Sequence, residues 1–368
     1  MTAPRVTVLM AVHDDERFVG EAMRSILAQT FTDFEFVIVN DASRDRSREI
    51  VASFDDRRIR LSDNAENLGL TRSLNRGLAL ARGEYVARFD ANDVSRRDRL
   101  ARQVALLDAR PNVVAVGSRA RIIRRNGTVI RPNVLVPALT PEGIDWGLMF
   151  YSPLLHPASA FRRVAVERLG GYDERFVIAD ASKVFGYGED LDLWSRLATV
   201  GRLANLPEAL IDLRIDPSST SGYENVARRL RMVPMVTRVL SDNIRRLTGQ
   251  TALPDGWPEI WVRLIYSDPH LPAGDVLRAL DLLAKTRARF AEVRPESRQS
   301  QEIADQVAFL CGHAAFHLAR RCRWAALRAF SRATASSPAR AVRDLPRLTA
   351  RLLFGDGPIR LWRQVVHR

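Results

Sequence analysis

Cysteine is almost missing from this sequence: Cys311 and Cys322 are the two among 368 residues, and no C-x-x-C spacing occurs. That excludes a disulfide framework and leaves no zinc knuckle. Lysine is as scarce, with Lys183 and Lys285 the only two, so the positive charge is almost entirely arginine. No apolar stretch nears the roughly 18 residues that read as a membrane-spanning helix. The chain passes from Met1 through Pro4 into a strand-like run with no basic and then apolar leader. A cytoplasmic location is therefore expected, peripheral on the inner membrane face at most. Both glycine-rich phosphate cradles are missing as well: no G-x-G-x-x-G follows the first strand, and no G-x-x-x-x-G-K-[ST] occurs. Dinucleotide and P-loop chemistry are thereby excluded.

What is present is the composition of a folded protein, 46% hydrophobic and 27% charged with 20 Gly and 18 Pro. At 41.4 kDa the chain is long enough for one large domain or two ordinary ones. The net charge of +13 is unevenly spread. Residues 1–224 hold 31 basic and 31 acidic side chains, and residues 225–368 hold 25 and 12. The front is a neutral body and the last third is arginine-rich.

The front alternates short apolar runs with segments of helical period. Val6–Val12, Phe34–Val39, Ile59–Leu61 and Tyr85–Phe89 read as strands, and the stretch with Phe18, Ala22 and Ile26 on one face, Ser47–Phe54 and Leu70–Ala81 read as helices. Strands without an exposed face, separated by helices, imply βαβ units: an α/β fold with a mainly parallel sheet flanked by helices. After Val113–Val116, the run Ala120–Ile130 with Asn126-Gly127 inside it reads as a hairpin. A helix opens near Gly188, and Leu206–Leu213 reads as a last strand. From Glu224 onward only helical spacing remains, as in Val276, Leu280 and Leu283. A domain of residues 1–224 followed by an α-helical region of residues 225–368 is expected.

Ligands of open α/β sheets bind beyond the carboxyl ends of the strands, so the residues there matter most. They are His13-Asp14-Asp15-Glu16 after the first strand, Asn40-Asp41-Ala42-Ser43 after the second and Asp90-Ala91-Asn92-Asp93 after the fourth. An acidic rim repels phosphate unless a hard cation stands between them, so Asp90, Asn92 and Asp93 read as a Mg²⁺ or Mn²⁺ diphosphate site. The competing reading is a plain turn, with Ser95 as N-cap of the next helix and Asp98 as its capping-box partner.

The run from Val6 to Asp93, followed in order by GGYDERF and GEDLDLWSRL, resembles the family 2 glycosyltransferases of the GT-A fold over roughly residues 4–216. The resemblance implies an inverting enzyme that uses a nucleotide-sugar donor, typically UDP-linked, and a divalent metal. Val12, His13 and Asp14 stand where that family packs against the nucleobase, usually with Tyr-Asn in place of His13-Asp14. Asp41 matches the aspartate that pairs with the base, while Asn67, Gly69 and Arg72 match the segment beside the nucleotide. Asp90, Asn92 and Asp93 match the D-x-D-type metal site, where Asn92 is often aspartate. Glu189 and Asp190 match the acid pair whose aspartate is the general base. Read without the family, acids in a helix's first turn simply favour the macrodipole. His156, together with Trp194, stands where the family lines the acceptor and donor sugar; a histidine beside proline is also an ordinary hydrogen-bonded structural residue. Near Arg214-Ile215-Asp216 the family often has Arg-x-His, and here Asp216 holds the histidine's place. The stretch Asp180–Gly188, with Lys183 and Tyr187, is expected to form a flap.

Residues 320–368 interleave twelve arginines, Arg320 to Arg368, with Trp324, Leu348, Leu352, Leu353, Phe354, Leu361 and Trp362. That pattern suits an anionic membrane surface carrying a lipid-linked acceptor; the competing reading is a solvated face of a helical cap in an arginine-biased proteome. No nucleic-acid-binding motif accompanies it, so nucleic acid is not an expected partner. The expected activity is transfer of a sugar to a hydroxyl of a glycan or lipid-linked acceptor in polysaccharide or glycolipid synthesis. The alternatives are a non-catalytic nucleotide-sugar binder or partner subunit, and a basic membrane-docking scaffold. Sugar, acceptor and oligomeric state are not legible.

Overall fold

A computed structural model describes residues 3–134, 138–179, 184–215, 229–266, 268, 270–319 and 322–339. The sheet starts from β1 (Val6–Val12), a VTVLMAV run buried except at Ala11. Covering on both faces is what a strand without polar alternation requires. Helix α1 (Val19–Leu27) buries Val19, Ala22, Met23 and Ile26, one stripe at helical spacing. The wholly buried β2 (Phe34–Asn40), α2 (Ser47–Ala52), β3 (Ile59–Asp63), α3 (Leu70–Leu80) and β4 (Tyr85–Asp90) complete the βαβ part. In this part the strands lie parallel in the order β3-β2-β1-β4, with Val8 opposite Phe36 on one side and Ala87 on the other.

Beyond β4 the sheet becomes mixed. The chain continues through β5 (Val94–Ser95), α4 (Arg99–Ala109), β6 (Val113–Ile123), β7 (Val129–Val134), α5 (Pro141–Leu148), β8 (Ala160–Arg162) and α6 (Arg163–Arg168). It then forms β9 (Val177–Ala179), β10 (Val184–Gly186), α7 (Glu189–Leu197) and β11 (Arg202–Arg214). Strand β8 inserts antiparallel between β4 and β6, and β11 lies parallel to β6. The hairpin expected around Asn126-Gly127 joins β6 and β7, with Gly127 at φ 81° and the Asn126 side chain accepting from the Thr128 N–H. Ser95 is not an N-cap: it pairs with Ile211 in the short β5, and α4 opens at Asp98, which makes no side-chain cap bond and instead pairs with Arg102. Pairing with β11 outcompetes the capping box because it satisfies backbone groups on both strands.

Two compact units result: Met1–Pro141 with Ser152–Thr220, and Glu142–Tyr151 with Ser221–Arg368. The boundary expected near residue 224 falls outside the described residues. The second unit contains α8 (Val233–Thr248), α9 (Trp257–Ile265), α10 (Ala273–Val293), α11 (Gln301–Leu318) and α12 (Arg323–Ser336). The segment 142–151, which nothing in the sequence assigned there, supplies Trp146 and Phe150 to this unit. Trp146 stands 5.5 Å from the Phe290 ring, and Phe150 stands 5.7 Å from Trp261. Most of the arginine-rich end lies outside the described residues, and no helix among those described is long and apolar enough to cross a membrane.

At the start of β4 the fold depends on a glycine. Gly83 donates its N–H to Thr7 Oγ1 at 2.9 Å, and a Cβ there would sit 2.3 Å from the Thr7 nitrogen. The obstacle is backbone, which cannot swing aside as a side chain can. Gly83→Ala is expected to lower the unfolding free energy by about 2 kcal/mol, seen as a lower urea midpoint with an unchanged m-value.

Candidate active site

The chain leaves β1 and β2 through two strained corners. Among the described residues, Asp14 (φ 54°) and Ala42 (φ 53°) are the non-glycine positions with positive φ. Such conformations each cost on the order of 1–3 kcal/mol and persist where their surroundings over-determine them. Here the two loops hold each other: Asp14 Oδ1 accepts from the Arg44 N–H at 2.7 Å, and Glu16 Oε2 accepts from the Arg46 N–H at 3.0 Å. In return Asp45 Oδ2 accepts from the Glu16 N–H at 2.9 Å, and Ser47 Oγ from the Asp15 N–H at 2.8 Å.

Asp41 is buried at the centre of this rim. Its Oδ1 accepts from Asn64 Nδ2 at 2.7 Å and the Leu68 N–H at 2.8 Å, and its Oδ2 accepts from the Gly69 N–H at 2.8 Å. The Asp41 carbonyl lies 2.7 Å from His13 Nδ1, while His13 Nε2 lies 2.8 Å from Asn67 Nδ2. A carbonyl only accepts and an amide nitrogen only donates, so these partners assign the ring proton to Nδ1. Asn67 Oδ1 accepts from the Gly69 N–H at 3.1 Å. Gly69 has φ 81°, and a Cβ there would meet Val184 at 2.8 Å. Val12, His13, Asp14, Asp41, Asn67 and Gly69 are thus brought together. Arg72 is half exposed and faces Glu174 Oε2 at 3.2 Å.

At the tip of β4, Arg88 is a charge inside an apolar strand and is 2% exposed. Its Nη1 stands 2.6 Å from Asp90 Oδ2. Burial works against the guanidinium charge, but Asp90 outweighs it and holds the pKa above the ordinary arginine value. Asp93 is buried: Oδ1 accepts from the Arg214 N–H at 2.8 Å, and Oδ2 has no hydrogen-bond partner. Burial first, and then the charge of Asp90, push its carboxyl well above the usual range. Arg214 itself donates to the Asn92 carbonyl at 2.8 Å and to Glu21 Oε2 at 2.6 Å.

The acid pair opens α7, whose N-cap Gly188 takes φ 93°. Asp190 Oδ2 accepts from the Ser152 hydroxyl at 2.9 Å, and Oδ1 accepts from the Leu191 N–H at 2.8 Å. Buried Glu189 has Oε1 3.9 Å from His156 Nδ1, and its Oε2 has no partner. Burial, and then the charge of Asp190, raise the Glu189 carboxyl from 4.5 to about 7. Burial raises Asp190 too, with Ser152 and Leu191 pulling back. His156 Nε2 lies 2.7 Å from the Tyr172 hydroxyl, and burial followed by the charge of Arg88 holds the imidazole well below its usual pKa, hence neutral. Trp194, expected to line a sugar, is fully buried with its ring 6.0 Å from that of His156, so its side chain offers no exposed surface.

The charge of Arg88 acts on Asp90, Asp93, Glu189 and Asp190, and that of Asp90 reaches Glu189. The β4 tip and the start of α7 therefore share one electrostatic environment. Sequence reasoning passed over Arg88, Ser152 and Tyr172. Arg88 carried a signal, since a charge within a buried strand must have a partner; Ser152 carried none. Lys183 and Asp216 lie outside the described residues. Oxygen donors at Asp90, Asn92 and Asp93, with an unpartnered buried Asp93 oxygen, fit a hard cation. Among the described residues no three acids, histidines or cysteines are grouped as a complete cage. Mg²⁺ sites of one or two carboxylates, completed by substrate phosphates, need no such cage.

Residues 7–170 match the sequence profile of glycosyl transferase family 2. An uncharacterized glycosyltransferase of Haemophilus influenzae is 30% identical over 230 residues, covering 60% of this chain and 69% of that protein. The O-antigen biosynthesis glycosyltransferase WbnJ of Escherichia coli is 29% identical over 58% of this chain and 81% of its own. In fold, the chain resembles the crystal structure of S. aureus TarS 1–349 in complex with UDP-GlcNAc, with TM-score 0.50 and 17% identity over 78% of this chain and 89% of that one. The mixed sheet with flanking helices is accordingly of the GT-A type.

A raised carboxyl pKa has a readable sign. The folded chain keeps the Glu189 proton between about 4.5 and about 7 while the unfolded chain gives it up, so folding loses stability as pH climbs through that window. Glu189→Gln is expected to melt several degrees above the wild type at pH 8 and together with it at pH 4, as read by a thermal melt at each pH.

Proposed function

The chain belongs to glycosyltransferase family 2, and on that footing we propose that it transfers a sugar, with inversion, from a UDP-sugar to a hydroxyl of a glycan or lipid-linked acceptor. The products are then a cell-surface polysaccharide or glycolipid, a reading supported by the O-antigen name of its E. coli relative.

The observation that carries the reading is the unequal treatment of the acid pair. Asp190 receives two hydrogen-bond donors, and donors to a carboxylate favour its charged form. Glu189 has a bare buried oxygen and a pKa of about 7, so of the two it keeps the proton. Asp190 is left as the base that takes the acceptor's hydroxyl proton while the hydroxyl oxygen attacks the anomeric carbon. Asp41 Oδ2 takes a single protein donor and keeps a lone pair for an imide N–H such as that of uracil. Asp90, Asn92 and Asp93 would hold Mg²⁺ or Mn²⁺, which supplies neutralisation of the departing diphosphate. Arg88 anchors Asp90, so that its carboxylate is already oriented when the donor arrives.

Trp324 is 81% exposed and Leu327 48% exposed on α12, beside Arg328. Apolar groups among arginines support a peripheral contact with an anionic membrane surface. Sedimentation with phosphatidylserine vesicles is expected, and Trp324→Ser is expected to weaken it severalfold; vesicle binding unchanged by that substitution would count against the contact.

The transferase reading is tested with UDP-sugars and Mn²⁺ or Mg²⁺. UDP with metal is expected to raise the melting temperature. Asp190→Asn should cut turnover by about 100-fold or more, the scale of a lost general base, and Asp93→Ala should also abolish most of it. Full rate in both variants would sink the assignment, and nucleotide binding without transfer to any acceptor would favour a non-catalytic binder.

A further inference from the structure

Ser152 stands where one hydroxyl proton faces two acceptors. Its Oγ lies 2.9 Å from Asp190 Oδ2 and 3.0 Å from the Leu154 carbonyl oxygen. A serine hydroxyl donates once and accepts through its lone pairs. While Asp190 is ionised, neither of these neighbours can donate to Ser152, so only one of the two contacts is served at a time. Once Asp190 carries a proton, both contacts are satisfied together: the Asp190 O–H donates to Ser152 Oγ, and the Ser152 O–H turns to the Leu154 carbonyl. The segment is held for this from behind, because Asn205 Nδ2 donates to the Pro153 carbonyl at 3.0 Å and to the Ala138 carbonyl at 2.8 Å.

We propose that Ser152 is a positioning residue for sugar transfer, its hydroxyl rotating between Asp190 and Leu154 so that the base keeps a hydrogen-bond partner both before and after it takes the acceptor's proton. The inference rests on the reading of Asp190 as that base. In the step itself the acceptor O–H bond breaks and the proton forms a bond to Asp190 Oδ2. The acceptor oxygen's electron pair forms the new bond to the anomeric carbon, and the diphosphate leaves with the pair of the old one. The new Asp190 O–H turns from the acceptor to Ser152 as the Ser152 O–H turns to Leu154, and these two rotations stabilise the protonated product state without any backbone movement. The charged and titratable groups around Asp190 are Glu189 on α7, Arg88 and Asp90 on β4, and His156 and Tyr172 beyond them. None of these offers the same exchange: Arg88 only donates, and His156 and Tyr172 are bonded to each other.

The test is a carboxyl ¹³C titration of the full chain with labelled aspartate, the Asp190 signal being identified by its loss in Asp190→Asn. Ser152→Ala takes a charge-assisted bond from ionised Asp190 and only a weaker, neutral one from the protonated form, so the Asp190 midpoint is expected to move up by about one pH unit, and Ser152→Thr, which keeps a hydroxyl, is expected to restore it. A melting temperature recorded for each variant separates this from loss of folding, since a merely structural serine would lower stability without moving the midpoint. An unchanged midpoint in folded Ser152→Ala overturns the inference even where Asp190→Asn abolishes release of UDP from UDP-sugars. Full UDP release by Asp190→Asn overturns the reading of the base, and the inference with it.

Discussion

A guanidinium inside a sheet must have its counter-charge within reach, and Arg88 has it two residues along the same strand, in Asp90 at 2.6 Å. Removing Asp90 would strand the buried Arg88 guanidinium in a region of low polarity, which is far costlier than exchanging the pair for apolar residues. The rest of the site adjusts to this charge. Arg99, also buried, sits behind it and donates to the carbonyls of Arg88 and Ser159. Burial and the like charge of Arg88 bring the Arg99 pKa down to about 9, still above neutrality. In front, burial keeps His156 neutral with the same field adding to it, and the field partly offsets the burial of Glu189 and Asp190. One buried cation thereby biases, alongside burial, the protonation of groups on β4, on α7 and on the segment before β8.

The second constraint is backbone geometry. Asp14 and Ala42 occupy left-handed conformations at neighbouring strand ends, and Asp14 ties the two corners together by donating its N–H to Ser43 Oγ and accepting from the Arg44 N–H. Asp41 then gathers Asn64, Leu68 and Gly69 around one carboxylate, so a single buried charge organises a loop of chain that contains no regular structure of its own.

The two acids of the α7 opening show why neighbours in sequence need not share a role. Both stand in the first helical turn, where the macrodipole favours negative charge. Asp190 turns to Ser152 and the Leu191 N–H, whereas Glu189 turns inward to a space with no donor for its Oε2. The difference lies in what each side chain meets across the fold.

Much of the architecture was legible beforehand because burial of a strand or of a helix stripe leaves a local period. Val6–Val12, Phe34–Val39 and the α1 stripe follow from that period, as does the grouping of polar residues after β1, β2 and β4. The antiparallel insertion of β8, the pairing of Ser95 with Ile211 and the membership of residues 142–151 in the helical unit left no such trace. Each depends on which strand or helix lies adjacent in space. The sequence by itself thus determined the elements, the order of the strand-end clusters and the identity of the acids. Only the tertiary structure decided that Ser152 reaches Asp190, that Tyr172 meets His156 and that Arg88 reaches both ends of the site. Those pairings join residues distant along the chain, and the sheet order, not any local pattern, brings them within bonding distance.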